Sequence, residues 1–261
     1  MSMGLSFTLA ALACTFYAGS CVKAQNGPRI PQALKLKVVA THPHDRGAFT
    51  QGLVWWQGRL FESTGQYGDS SLRRVDLRTG TVEQQVDLPD DVFGEGLALV
   101  ERRLIQLSWR NGRAFVWDAA TLEPKGELAY AGEGWGLCHD GKRLVMSDGT
   151  DKLTFREPAT FAKVGEVSVT KAGMPVGNLN ELECVDGHVF ANVWMHEHIA
   201  RIDPRTGEVT AWVDASGLLS PAERMGTDVL NGIAYVPETG RFLLTGKYWP
   251  AVFEVELVPG G

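Results

Sequence analysis

A chain of 261 residues with 44% hydrophobic content can bury one substantial core, and all-β propellers and barrels of this length commonly form a single domain. Its 31 acidic and 25 basic side chains leave a formal charge of -6, and neither sign runs for five residues. That excludes the basic footprint of a nucleic-acid-binding surface.

The first element is an uncharged apolar stretch from Leu5 to Ala18, too short to span a bilayer. It reads as a signal peptide over residues 1–24, with Val22-Lys23-Ala24 before the cut and residues 25–33 as a linker, although no Lys or Arg precedes the apolar stretch. A lipoprotein processed before Cys21 is the variant reading. The expectation is a secreted or periplasmic protein, monomeric and without membrane attachment after cleavage. Cys14 and Cys21 then fall in or beside the removed segment, leaving Cys138 and Cys184 either paired or free, free buried thiols being the commoner state in a large core.

From Leu34 to Thr41 apolar and polar residues alternate as in a half-buried strand, and beyond it the chain repeats. Five segments share a polar or aromatic residue, usually Gly, then an aliphatic one: Gln51-Gly52-Leu53, Glu95-Gly96-Leu97, Trp135-Gly136-Leu137, Asn180-Glu181-Leu182 and Asn231-Gly232-Ile233. Each is followed by a turn and a second apolar run, beginning at Arg59, Arg103, Arg143, His188 and Arg241. Third runs cover Leu72–Val75, Ala114–Trp117, Leu153–Phe155, Ile199–Ile202 and Val252–Val255. In the first four repeats a turn such as Asp76-Leu77-Arg78-Thr79-Gly80 leads to a fourth strand. Four strands in about 40 to 50 residues form one propeller blade. The fold class is therefore all-β, a five-bladed β-propeller over residues 34–261. Its fifth blade stops after three strands, and the N-terminal strand closes the ring by supplying the fourth, which removes an open edge.

The first strand of every propeller blade lines the central channel, so Gln51, Glu95, Trp135, Asn180 and Asn231 become neighbours. Just past the second strands lies another equivalent set, Gly65, Trp109, Gly149, Trp194 and Lys247. A channel built for structure alone needs none of these polar and aromatic groups. Aromatic walls with a few convergent polar groups make a small-molecule or peptide-terminus pocket.

Several other motifs carry less. His196-Glu197-His198 lacks the helical spacing that puts two imidazoles on one metal and reads as a hairpin turn. Gly132-Glu133-Gly134 and Gly94-Glu95-Gly96 precede strands rather than helices, so neither is a dinucleotide loop. Asp148-Gly149 reads as a turn.

Taken together, Phe49-Thr50-Gln51-Gly52-Leu53, Phe93-Gly94-Glu95-Gly96-Leu97, Gly134-Trp135-Gly136-Leu137, Asn180-Glu181-Leu182-Glu183 and Thr245-Gly246-Lys247-Tyr248-Trp249-Pro250 resemble the plant-type glutaminyl cyclases, a family that also occurs in bacteria. The resemblance spans about Phe49 to Leu257. It implies a five-bladed propeller that converts the N-terminal glutamine of a peptide or protein into pyroglutamate with loss of ammonia, without a catalytic metal or other cofactor. A structural divalent cation elsewhere in the channel is compatible with it. The catalytic positions carried over are Glu95, Asn180 and Lys247; Gln51, Phe49, Trp109, Trp135 and Trp194 fall at substrate-contacting or pocket positions, with Asn231 a further substrate-binding candidate.

The chemistry asks for such groups. Glu95 is the one carboxylate in the two registers and suits the general base. Asn180 and Lys247 suit an oxyanion. Either Glu95 or Lys247 can protonate the leaving nitrogen. Two further readings use the same fold: a lactonase-like hydrolase holding a divalent cation with Glu95, Asn180 and Asn231, and a non-enzymatic propeller that binds partners on its rim.

Overall fold

The computed structural model describes Met1 and residues 30–260. The segment read as a signal peptide, Met1 apart, lies outside the described residues. Strand β1 (Gln32–Pro43) precedes blade 1, which holds β2 (Thr50–Trp56), β3 (Arg59–Thr64), β4 (Ser71–Asp76) and β5 (Thr81–Asp87). Blade 2 holds β6 (Gly94–Val100), β7 (Arg103–Ser108), β8 (Arg113–Asp118) and β9 (Pro124–Ala129). Blade 3 holds β10 (Leu137–His139), β11 (Leu144–Met146), β12 (Lys152–Arg156) and β13 (Lys163–Ser168), followed by a small hairpin of β14 (Thr170–Lys171) and β15 (Met174–Pro175). Blade 4 holds β16 (Leu179–Val185), β17 (His188–Val193), β18 (His198–Ile202) and β19 (Val209–Asp214). Blade 5 consists of β20 (Leu230–Val236), β21 (Arg241–Gly246) and β22 (Ala251–Pro259).

Burial falls from the centre outward. The inner strand β2 is buried over most of its length, whereas the outer strand β5 alternates exposed and half-buried residues. Apolar layers fill the space between blades, as where Val54, Phe61 and Leu72 of blade 1 meet Leu97, Leu104, Phe115 and Trp117 of blade 2. The inner strands touch in ring order, with β20 returning to β2.

The expected closure is present: β1 runs antiparallel to β22, pairing Lys35 with Val258, Val38 with Val255 and Thr41 with Phe253. One feature differs from expectation. The start of β1 also pairs in parallel with β19, Ala33 opposite Trp212 and Lys35 opposite Asp214, so blades 4 and 5 form one eight-stranded sheet. The longer β1 thereby covers the outer edge of blade 4 as well as completing blade 5. Cys138 on β10 and Cys184 on β16 form a disulfide with their Cα atoms 5.5 Å apart, joining the inner strands of blades 3 and 4. The balance expected for free thiols fails because these inner strands run at backbone distance, a separation that sequence does not encode.

The motif glycines show how close that approach is. A Cβ on Gly52 would lie 2.5 Å from the Leu97 nitrogen, and one on Gly96 would lie 2.6 Å from the Leu137 nitrogen. Blade 4 alone replaces this glycine, with Glu181. Its buried carboxylate reaches two other blades, accepting from Ile233 N at 2.8 Å and from Leu53 N at 3.3 Å. Glu181 thus ties blade 4 to blades 5 and 1 and fills the space that the glycines leave in the channel.

Candidate active site

Four of the five inner strands change register at the repeated motif: between Thr50 and Gly52, Gly94 and Leu97, Leu179 and Leu182, and Leu230 and Ile233. A bulge re-aims a side chain while the strand continues. Here it turns Gln51, Glu95 and Asn180 toward one end of the channel.

At that end lies a cavity of about 410 Å³ lined by Phe49, Gln51, Phe93, Glu95, Trp109, Trp135, Asn180, Trp194, Met195, Asp228 and Lys247. Eight of the nine residues singled out by repeat register and resemblance meet there. Asn231 does not. It is fully buried beneath the lining, where its Nδ2 donates to Gln51 Oε1 and to Thr50 O, both at 2.9 Å. Its place is that of a support for Gln51, which in turn donates from Nε2 to Glu95 Oε1 at 3.0 Å.

The second register is held by backbone bonds of one kind in four blades: Gly65 N to Phe49 O, Trp109 N to Phe93 O, Trp194 N to Asn178 O and Lys247 N to Val229 O, at 2.8 to 3.0 Å. Its two glycines make room for rings. A Cβ on Gly149 would lie 2.7 Å from the Trp135 ring, and one on Gly65 would strike Phe93.

The aromatic lining falls into two groups of rings in contact. Phe49 meets Phe93 edge-on at 5.8 Å, Phe93 meets Trp109 at 5.6 Å, and Trp135 meets Trp194 at 5.8 Å. Aromatic pairs favour such edge geometries. The Lys247 ammonium sits 4.5 Å from the Phe49 ring centre, which steadies a charge removed from water.

Burial sets the electrostatics. It pushes the Glu95 carboxyl well above the usual carboxylate range; Lys247 opposes that rise and the charge of Glu133 adds to it. Burial likewise lowers Lys247 from the usual lysine range, against the pull of Glu95 and Asp228. Both are shifted toward neutrality, as acid-base groups require. Asn180 Oδ1 is buried without a hydrogen-bond partner. The same holds for Asn231 Oδ1 beneath it.

Sequence reasoning missed Phe93, Met195, Asp228 and Glu133. Phe93 occupies the register of Phe49, two residues before the motif, so the repeat carried its signal. Glu133 stands in that same register, two residues before Trp135, and the Gly132-Glu133-Gly134 segment is a loop whose carboxylate accepts from Trp109 Nε1 and Trp135 Nε1. His196-Glu197-His198 is the expected hairpin turn: His198 stacks on Trp212, and Glu197 pairs with Arg224 at 2.5 Å. Asp148 caps its own turn through the Thr150 backbone and hydroxyl.

A propeller whose channel ends in an aromatic cavity with a buried acid, amide and ammonium defines the class of protein. The glutamine cyclotransferase family model matches residues 9–257, and the chain belongs to that family. It is 44% identical over 229 residues to a glutaminyl-peptide cyclotransferase of Arabidopsis thaliana, covering 85% of this chain and 71% of that one. The crystal structure of a Myxococcus xanthus glutaminyl cyclase matches with a TM-score of 0.81 at 41% identity, over 88% of this chain and all of the other.

Proposed function

We propose that the cavity performs glutaminyl-peptide cyclotransfer, an aminoacyltransferase reaction in which an N-terminal glutamine becomes pyroglutamate and ammonia leaves. The carrying observation is the convergence of buried Glu95, Asn180 and Lys247 in one cavity, inside aromatic walls that open at the channel end. A chain terminus enters such a cavity more readily than a chain interior.

The substrate's α-ammonium ordinarily titrates at about 7.7–8.0. Burial raises the Glu95 carboxyl above the usual carboxylate range, which makes its anion a stronger base toward that ammonium than an exposed carboxylate. The neutral amine then attacks the side-chain amide carbon, closing the five-membered ring and moving the carbonyl electrons onto oxygen. Asn180 and Lys247 donate to that oxyanion. Protonated Glu95 gives its proton to the departing amine and then accepts the ring nitrogen's surplus proton; the carbon–nitrogen bond breaks, ammonia leaves and the carbonyl reforms. Gln51 orients Glu95, and the aromatic walls hold the glutamine side chain folded toward its own amine.

The roles that a metal ion would fill are covered by Lys247 and Asn180, so we assign no cofactor to the reaction. A lactonase-like cation ring fits these residues poorly, because Asn231 lies beneath the cavity lining rather than in it and an ammonium lies beside Glu95. We also assign the protein to an exported compartment, as a monomer free of the membrane. The Cys138–Cys184 disulfide supports export, since such bonds persist in oxidising surroundings.

Incubation with a Gln-initiated dipeptide, with and without a chelator, tests the reading through ammonia release and the mass of the product. Ammonia release that survives chelation is expected. Absence of release, or release abolished by the chelator, overturns the corresponding part.

A further inference from the structure

Glu133 is absent from the cavity lining, yet it grips two neighbouring rings of that lining, one from each of two blades. One carboxylate oxygen, Oε2, accepts from Trp109 Nε1 at 2.8 Å and from Trp135 Nε1 at 3.1 Å. The other, Oε1, accepts from Arg110 Nε at 2.8 Å. The Arg110 guanidinium then lies over the Trp109 ring, 3.7 Å from its centre. Trp109 is therefore fixed at its edge and across its face, while Trp135 is fixed at its edge and packed over Gly149.

Both tryptophans are half-buried at a cavity mouth. Their rings have less packing to hold them than core aromatics have. An indole N–H can only donate, and two such donors from different blades converge on a single anionic acceptor. These three donors hold Glu133 below the usual carboxylate range, so it remains an anion while Glu95 is pushed the other way. Charge-assisted bonds of this kind are stronger than those between neutral groups.

We propose that Glu133 is the positioning residue of the substrate cavity, locking Trp109 and Trp135 into walls that fit the glutamine side chain through their indole N–H groups. It touches no reacting atom and acts through the rings. The inference rests on the cyclotransferase reading and adds a residue to it.

The test uses kinetics on a Gln-initiated dipeptide. Glu133→Gln keeps the length of the side chain but loses the charge: its carbonyl oxygen can still accept from the indoles, without charge assistance, while its amide nitrogen, which only donates, cannot also accept from Arg110. KM rises roughly tenfold, the scale of losing a hydrogen bond to a charged group, with kcat changed less. Trp109→Phe and Trp135→Phe keep a ring and remove the N–H. If Glu133 acts through these groups, adding Glu133→Gln to the double phenylalanine variant raises KM little further, a non-additive cycle.

A folded Glu133→Gln enzyme with KM within twofold of the parent overturns the proposal. So does full additivity with the phenylalanine variant. Should Glu133→Gln fail to fold, Trp109→Phe and Trp135→Phe alone decide the matter, since neither N–H can then be important if KM is unchanged. Failure of the parent enzyme to release ammonia instead removes the cyclotransferase reading, so the two failures are distinct.

Discussion

Glu62 and Glu95 are both buried glutamates, 1% and 4% exposed, on neighbouring blades, yet they differ in almost every electrostatic respect. Glu62 Oε1 accepts from His44 Nε2 at 2.9 Å and from Thr50 Oγ1 at 2.7 Å. The other His44 nitrogen, Nδ1, meets Trp249 O at 2.8 Å. Carboxylate and carbonyl can only accept, so both imidazole nitrogens carry hydrogens and His44 is a cation. His44 is accordingly raised and Glu62 lowered, despite the burial that opposes both shifts. Glu95 has one side-chain partner, the Gln51 amide, and burial dominates it. Burial alone therefore does not set a carboxyl's charge; the partners it is given decide the direction of the shift.

The strongest way to sharpen this contrast is to neutralise Glu95. Glu95→Gln should lower kcat on Gln-peptides by between about a hundredfold and ten-thousandfold, the range for a general acid-base group. Its melting temperature should hold or rise, because a carboxyl raised in the folded state loses stability as pH climbs past its ordinary value. Ammonia release and thermal melts measure the two sides. Near-parental turnover would remove Glu95 from the mechanism.

Glu62→Gln should show the opposite. It leaves an imidazolium without its anion, and breaking a buried pair costs about 3–5 kcal/mol, or roughly 10 °C in melting temperature for a domain of this size. Turnover at low temperature should suffer far less than in Glu95→Gln. The pair also has a pH signature. His44 contributes fully below its ordinary value of 6.5 and loses that contribution as pH rises through its raised value. Glu62 contributes fully above its ordinary value of 4.5 and loses it as pH falls through its lowered value. The melting-temperature difference between parent and Glu62→Gln should therefore be widest from pH 4.5 to 6.5 and shrink on both sides. A difference independent of pH would show that the loss is one of packing.

What was legible in the sequence follows from the same contrast. Repeat alignment reveals residues in equivalent registers, so Gln51, Glu95, Trp109, Asn180 and Lys247 were visible. Ring closure was visible as well, because Leu34–Thr41 supplied the strand that the last blade lacked. Contacts made across blades were hidden: Glu133 holds the register of Phe49 and Phe93, but register does not disclose its bond to Trp109 of the preceding blade, and the His44–Glu62 pair joins a pre-blade segment to blade 1. Glu181 did announce itself, as the motif member that is not glycine. Its meaning depended on knowing how little space the other four glycines leave.

Asn231 tests the boundary between the two kinds of buried polar group, because it shares a register with the cavity residues and yet its Nδ2 is held by two protein acceptors while its Oδ1 has none. Asn231→Ala removes two hydrogen bonds and frees Gln51 Oε1 to turn, which should cost about 1 kcal/mol in stability and a few-fold to tenfold in kcat/KM. Asn231→Asp should be worse than alanine in stability despite its closer shape. A carboxylate has no hydrogen to donate, and it would face two acceptors, Thr50 O and Gln51 Oε1, in a site without solvent. Parallel melts and kcat/KM values for the two variants measure this order. If alanine instead raises KM sharply while stability is unchanged, Asn231 contacts substrate and belongs with Glu95 rather than with Glu62.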